Sequence, residues 1–236
     1  MDLPARIAAT LLALAAIAPV DTASAQSEQT EPVTIDQSIE VGAWSRFRVI
    51  VKTDNEPFPI EITIRCVGRD TIDGKDALWI EFESTSPATA TRPEIVKFLV
   101  PTIRLREGPF GVEDIRHTWV LRRDAKQPVR VPNADRQGLE LLFPGRLPKE
   151  AAFEKQTEEL IWPKGTLTCR VLTFRNAGPL ASHPATIEQT LLLHKSLPMG
   201  LAGFRFDISF NNTSVKVDGK LTSHGTGAEP AFPNGK

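Results

Sequence analysis

Four histidines, His117, His183, His194 and His224, are the side chains best suited to hold a metal or move a proton near neutral pH. A zinc or copper site needs such residues a few positions from one another or from cysteine. None of the four stands at such a spacing, so we expect no metal and no cofactor. His183 precedes Pro184 in a loop and His224 lies in a Gly/Pro-rich stretch, so both read as solvated; His194 closes a strand. A serine nucleophile on a sharp turn would show Gly-x-Ser-x-Gly, and phosphate or dinucleotide sites would show glycine-rich fingerprints. The chain carries none of these. Its adjacent carboxylates, Glu113-Asp114 and Glu158-Glu159, would point to opposite faces of a strand and read as solvated charge. Tyrosine, a common polar anchor in catalytic clefts, is absent. We expect a protein that is not an enzyme.

The two cysteines are placed by the strands that carry them. Cys66 shares parity with Ile60, Ile62 and Ile64, and Cys169 with Leu167 and Val171, so each points to an apolar face. In an oxidising compartment they are expected to form a disulfide, worth about 4–5 kcal/mol for so long a loop. The other reading is two separate buried thiols that act as small hydrophobes.

Alternation sets the rest of the architecture. Strands are expected at Trp44–Thr53, Pro59–Val67, Ala77–Ser84 and Glu94–Val100, with Ile103 and Leu105 extending the sheet beyond Pro101. Asp54–Pro57 and Asp73-Gly74 supply turns, and Ser84–Pro93 a loop. The middle changes character. Val112, Ile115, Trp119 and Val120 fall on one helical face, with a strand over His117–Arg123 as the competing reading. Asn133 could cap a second helix lined by Leu139, Leu142 and Phe143, and Lys149–Gln156 has helix-forming composition. After the Pro163-Lys164-Gly165 turn, strands return at Thr166–Arg175, Ala185–His194, Gly203–Phe210 and Ser214–Leu221. Asn211-Asn212 turns the last hairpin; its two overlapping glycosylation patterns are explained by the turn alone. The expected fold is mainly β (α+β), a curved antiparallel sheet or half-barrel covered by one to three short helices.

Composition agrees with a soluble domain: 41% of residues are hydrophobic and 24% charged. Ile7 to Val20 is an apolar run too short to span a bilayer, followed by the small residues Ala23-Ser24-Ala25. Residues 1–25 are therefore expected to be a signal peptide, 26–38 a disordered leader, 39–221 one domain and 222–236 a flexible tail. No transmembrane segment is expected after cleavage. Removing Arg6, Asp2 and Asp21 from 28 basic and 29 acidic residues leaves the charge balanced. Such a balance gives no footprint for nucleic acid or an anionic bilayer. The location expected is periplasmic or otherwise exported.

What the chain offers in place of reactive groups is inward apolar surface: Phe47, Ile62, Ile64, Leu78, Ile80, Phe82, Val96, Phe98, Leu167, Val171 and Phe204. These residues serve equally as a filled core or as the lining of a cavity for a lipid or acyl chain. The sequence leaves both open. Val41-Gly42-Ala43-Trp44, Gly68-Arg69-Asp70 and Gly74 to Trp79 carry a resemblance, as do Pro163 to Cys169 and Leu197 to Leu201. The chain resembles exported bacterial proteins of unknown function and, in pattern, the LolA/LolB-like half-barrels. That resemblance implies a helix-covered curved sheet that takes a lipid or lipoprotein ligand in an apolar groove. Such carriers engage a membrane partner with basic side chains, and here Arg122-Arg123 is the one evident cluster. The alternative is an interaction module of the cell envelope, with a filled core, a protein partner and no ligand.

Overall fold

The computed structural model of the chain describes residues 39–53, 56–86, 93–107, 114–132, 151–180, 183–210 and 213–232. The expected signal peptide and leader, the helix after Asn133, the turn at Asn211-Asn212 and residues 233–236 lie outside them.

Eleven strands form one antiparallel sheet. They are β1 (Trp44–Lys52), β2 (Phe58–Ile72), β3 (Lys75–Thr85), β4 (Glu94–Pro101), β5 (Thr118–Leu121), β6 (Val129–Val131), β7 (Ala152–Trp162), β8 (Gly165–Leu180), β9 (His183–Leu193), β10 (Leu201–Phe210) and β11 (Thr213–Gly225). Their spatial order is β6-β5-β4-β3-β2-β1-β11-β10-β9-β8-β7, so the curved sheet is not closed and ends at β6 and β7. Two meanders thus lie side by side, joined by β1 on β11. The expected mainly β half-barrel is the observed fold.

Turn chemistry fixes the register. Asp73 and Gly74 both have positive φ, 51° and 74°, the pair that a tight hairpin requires to match strand twist. β1 meets β2 with Phe47 opposite Ile62 and Val49 opposite Ile60, and meets β11 with Phe47 opposite Leu221. Every paired residue shares a face with its partner, so the sheet has two definable sides. One side, here the apolar face, carries Phe47, Val49, Cys66, Ile80 and Phe98. The other carries Arg46, Arg48, Lys52 and Glu61 on β1 and β2, then Arg205, Asp207, Asp218 and Lys220 on β10 and β11. We call it the charged face.

Three departures from the sequence reading have physical causes. Residues 118–121 are β5, paired to β4 with Val96 opposite Val120; the competing strand reading holds there, and a short helix would forfeit that ladder. The described part of Lys149–Gln156 belongs to β7, where pairing with β8 overrides helix propensity. Beyond Pro101 the sheet does not continue. Thr102–Glu107 forms a six-residue helix, α1, whose Leu105 packs on the apolar core, while Arg104 reaches Asp114 at 3.3 Å.

A tight contact on the apolar face lies where the meanders join. Phe204 pairs with Gly219, and its ring packs 5.7 Å from that of Phe47. A Cβ at Gly219 would come within 2.3 Å of the Phe204 ring. Gly219→Val should therefore destabilise the protein by about 1–3 kcal/mol, as overpacking does, and adding Phe204→Leu should recover part of it. Urea denaturation reads both; an unchanged midpoint for Gly219→Val would show that the ring does not occupy that space.

Candidate functional site

Of the eleven residues singled out from sequence, nine share the apolar face: Phe47, Ile62, Ile64, Leu78, Ile80, Phe82, Val96, Phe98 and Phe204. The ladder sets them in rows, with Ile64 beside Phe82 beside Val96, and Cys66 beside Ile80 beside Phe98. Phe82 and Phe98 meet with ring centroids 5.6 Å apart. Leu167 and Val171 lie elsewhere. Val171 pairs with Leu192, and Leu192 with Gly203, which places them opposite to Phe204. The side chains of β8 that do share the apolar face are Leu172 and Phe174, paired with Leu191 and Gln189. Sequence parity chose the wrong row because β8 is buried on both sides: Val171 is 4% exposed and Leu172 0%. A triple-leucine run at Leu191–Leu193 was the available signal for such two-sided burial.

Exposure along the apolar face is graded. Phe47, Val49, Cys66 and Phe98 are fully sealed. Phe58, Ile60, Ile62, Phe82 and Phe210 are half-buried, and they lie toward the end of the sheet where β1 stops and β2 begins. The face is packed in its middle and more accessible at that end. An apolar ligand would meet aliphatic and aromatic side chains there, each worth about 1.5–3 kcal/mol when fully withdrawn from water.

The cysteines do not pair. Both are free and buried, which corrects the expected disulfide. β1, β11, β10 and β9 separate β2 from β8, and Cys169 shares the Val171 side while Cys66 shares the Phe98 side. Burial pushes both thiols up to about 11, with the Glu158 carboxylate beside Cys169 adding to its rise.

On the charged face, β7 curls back over β10. Arg205 donates to both Glu158 oxygens at 2.9 and 2.7 Å, across the two strands between them. Trp162 stacks on His224 at 5.2 Å. The cleft enclosed here, about 200 Å³, is lined by Glu158, Leu160, Leu192, Arg205, Asp218 and Lys220 among others. It is smaller than the pockets that commonly hold drug-sized ligands, roughly 300–1,000 Å³. His117 accepts from Arg130 at 3.2 Å, and His194 accepts from the Ser196 amide at 3.3 Å in the β9–β10 turn. Among the described residues, no three His, Cys, Asp or Glu side chains are grouped to hold a metal ion.

Sequence reasoning missed a buried ion pair. Glu81 and Lys97 pair across β3 and β4, 3.2 Å apart and both 0% exposed. Burial lowers the Lys97 ammonium from its ordinary range, and Glu81 opposes that shift. The segment Thr226–Phe232, expected to be part of a loose tail, covers the pair. β11 itself runs four residues into that expected tail, to Gly225. The signal for a two-sided strand was Ile95–Val100, an apolar run broken only by Lys97.

No family model matches this sequence, and no curated protein matches it either. Three solved structures are similar. A protein described as a lipoprotein, from Parabacteroides distasonis ATCC 8503, is 11% identical with a TM-score of 0.41, covering 81% of this chain and 99% of its own. An exported protein with a YmcC-like fold, from Bacteroides fragilis NCTC 9343, is 8% identical with a TM-score of 0.40, covering 82% and 100%. A LolA superfamily protein from Nitrosomonas europaea is 10% identical with a TM-score of 0.37, covering 82% and 90%. No residue role passes from them to this chain.

Two measurements check this geometry. Thiol counting on denatured, unreduced protein should find two free thiols, and the folded protein at pH 8 should react with neither; a count of zero would restore the disulfide. Lys97→Met, which strands Glu81, should cost about 3–5 kcal/mol, whereas Glu81→Leu with Lys97→Met should cost far less. Equal losses in thermal or urea unfolding would mean the pair is not sealed from water.

Proposed function

We propose that this chain is an exported, non-enzymatic binding protein of the LolA-like half-barrel kind. It takes an apolar ligand, the acyl chain of a lipid or lipoprotein, on the apolar face of its open sheet. The observation that carries this reading is the graded face itself. A continuous apolar surface runs from Leu191 and Phe204 through Phe47 and Ile64 to Phe98, on a sheet that is not closed. Half-buried Phe58, Ile60, Ile62, Phe82 and Phe210 form its accessible end. A sheet that leaves its ends unjoined can widen without breaking a ladder, unlike a closed barrel. Export rests on the run Ile7 to Val20 followed by Ala23-Ser24-Ala25.

In this reading the ligand enters at the half-buried end and displaces side-chain packing toward the sealed middle. α1 is positioned to respond, because Leu105 touches the core while Ile103 of the same helix is 56% exposed. A second reading is favoured by the sealed residues. With Phe47, Val49 and Phe98 at 0% exposure, the core can be complete as it stands, and the protein then works as an envelope interaction module.

Native mass spectrometry of protein purified from its own compartment, with fluorescent fatty-acid titration, separates the two. The expected result is a bound lipid mass and saturable uptake that falls at least tenfold in Ile62→Arg, whose half-buried position tolerates a long cationic side chain. A bare mass, no uptake and co-purifying polypeptides would replace the carrier reading with the second one.

A further inference from the structure

The segment Thr226–Phe232 carries no pattern of helix or strand, yet its main chain is held at defined points. Ala228 donates to the carbonyl of Gly42 at 2.9 Å. The amide of Ala231 donates to both oxygens of Glu81, at 3.2 and 3.1 Å. The ammonium of Lys97 donates to the carbonyl of Phe232 at 2.8 Å. The ring of Phe232 is buried, with the same ammonium 5.0 Å from its centroid and 5.8 Å from that of Trp79.

The seat is built by the sheet alone. Glu81 and Lys97 are direct cross-strand partners, and with the segment in place neither has exposed surface. A buried carboxylate and ammonium satisfied only by each other would keep spare acceptor and donor capacity, which is costly in a dry site. Arg65 approaches the same carboxylate at 4.0 Å, and the remaining capacity is met by one amide and one carbonyl of two consecutive residues. Main-chain groups are common to all peptides, so what selects the occupant is the slot for the aromatic ring beside Lys97 and Trp79. The segment's other residues contribute little to the hold: Thr226, Gly227, Glu229 and Pro230 are exposed. Gly227, at φ +82° with open space on the side where a Cβ would stand, supplies a swivel just ahead of it.

We propose that Trp79, Glu81 and Lys97 form a peptide-binding site on the charged face. Its ligand class is an extended peptide with an aromatic residue after a small one, and the chain's own Gly227–Phe232 occupies it in cis as a displaceable latch. The site lies on the opposite side of β3 from the apolar face, so it stands or falls independently of lipid binding.

The test uses the full chain carrying Phe232→Ala and a labelled, C-terminally amidated peptide spanning Gly227–Phe232, read by fluorescence anisotropy. Phe232→Ala should bind the peptide saturably and at least tenfold more tightly than the unaltered chain, whose site is already filled. Adding Glu81→Leu and Lys97→Met should remove that binding while circular dichroism stays unchanged. Should that variant fail to fold, a peptide carrying Phe232→Ala makes the same discrimination without altering the protein further. Absence of saturable binding to the Phe232→Ala chain, or equal binding of the two peptides, overturns the site.

Discussion

One ladder holds this molecule together. Among the described strands, every pairing except β1 with β11 joins neighbours in sequence, and that exception spans Trp44 to Gly225. It closes the longest loop in the sheet, so its ordering cost has to be offset by what packs across it. The packing is there: Phe47 on Phe204, Phe204 over Gly219, and Leu221 beside Phe47. A bulge at Arg46/Phe47 lets β11 continue past the turn of β1, with Thr222 donating to the Arg46 carbonyl at 3.1 Å. From there the chain passes Gly42 and reaches β3 and β4. The second meander therefore grips the first twice, through a ladder on one strand and through a buried ion pair two strands farther on.

The two faces of the sheet do different work because they meet water differently. Between β10 and β11 the charged face pairs opposite signs, Arg205 beside Asp218 and Lys216 beside Asp207. Such exposed pairs contribute little stability individually but fix the register against slippage. At both flanks this face stops being wet. β7 covers it over Leu192 and Gly203, and Thr226–Phe232 covers it over Glu81 and Lys97. The apolar face runs between those flanks with buried Ser45 and Gln189 set into it, and it grades from a sealed middle to a half-buried end.

Strands that alternate cleanly were legible from sequence. Phe47, Val49 and Val51 against Arg46, Arg48 and Lys52 marked β1 to within a residue, and Asp73-Gly74 marked the hairpin between β2 and β3. β4 and β8 were legible as strands but not as two-sided ones, because alternation reports one buried face and is silent about a second. That silence misplaced Leu167 and Val171 and hid the role of Lys97. The helical spacing of Val112, Ile115, Trp119 and Val120 misled for a different reason. Ile115 is fully buried and Trp119 packs on the opposite side of the sheet from Val96, so their spacing reflects two separate contacts. The hold on Phe232 had no local signature, since it depends on a residue 135 positions earlier.

The junction of β1 with β11 also constrains how the molecule can be made. A chain leaves its synthesis in order, and β1 gains its outer neighbour only after some 170 further residues have followed. The first meander must wait with one long margin bare, a state prone to wrong pairing. Maturation is thus timed by the last strand to appear, and the unfinished form is the one that a chaperone would meet.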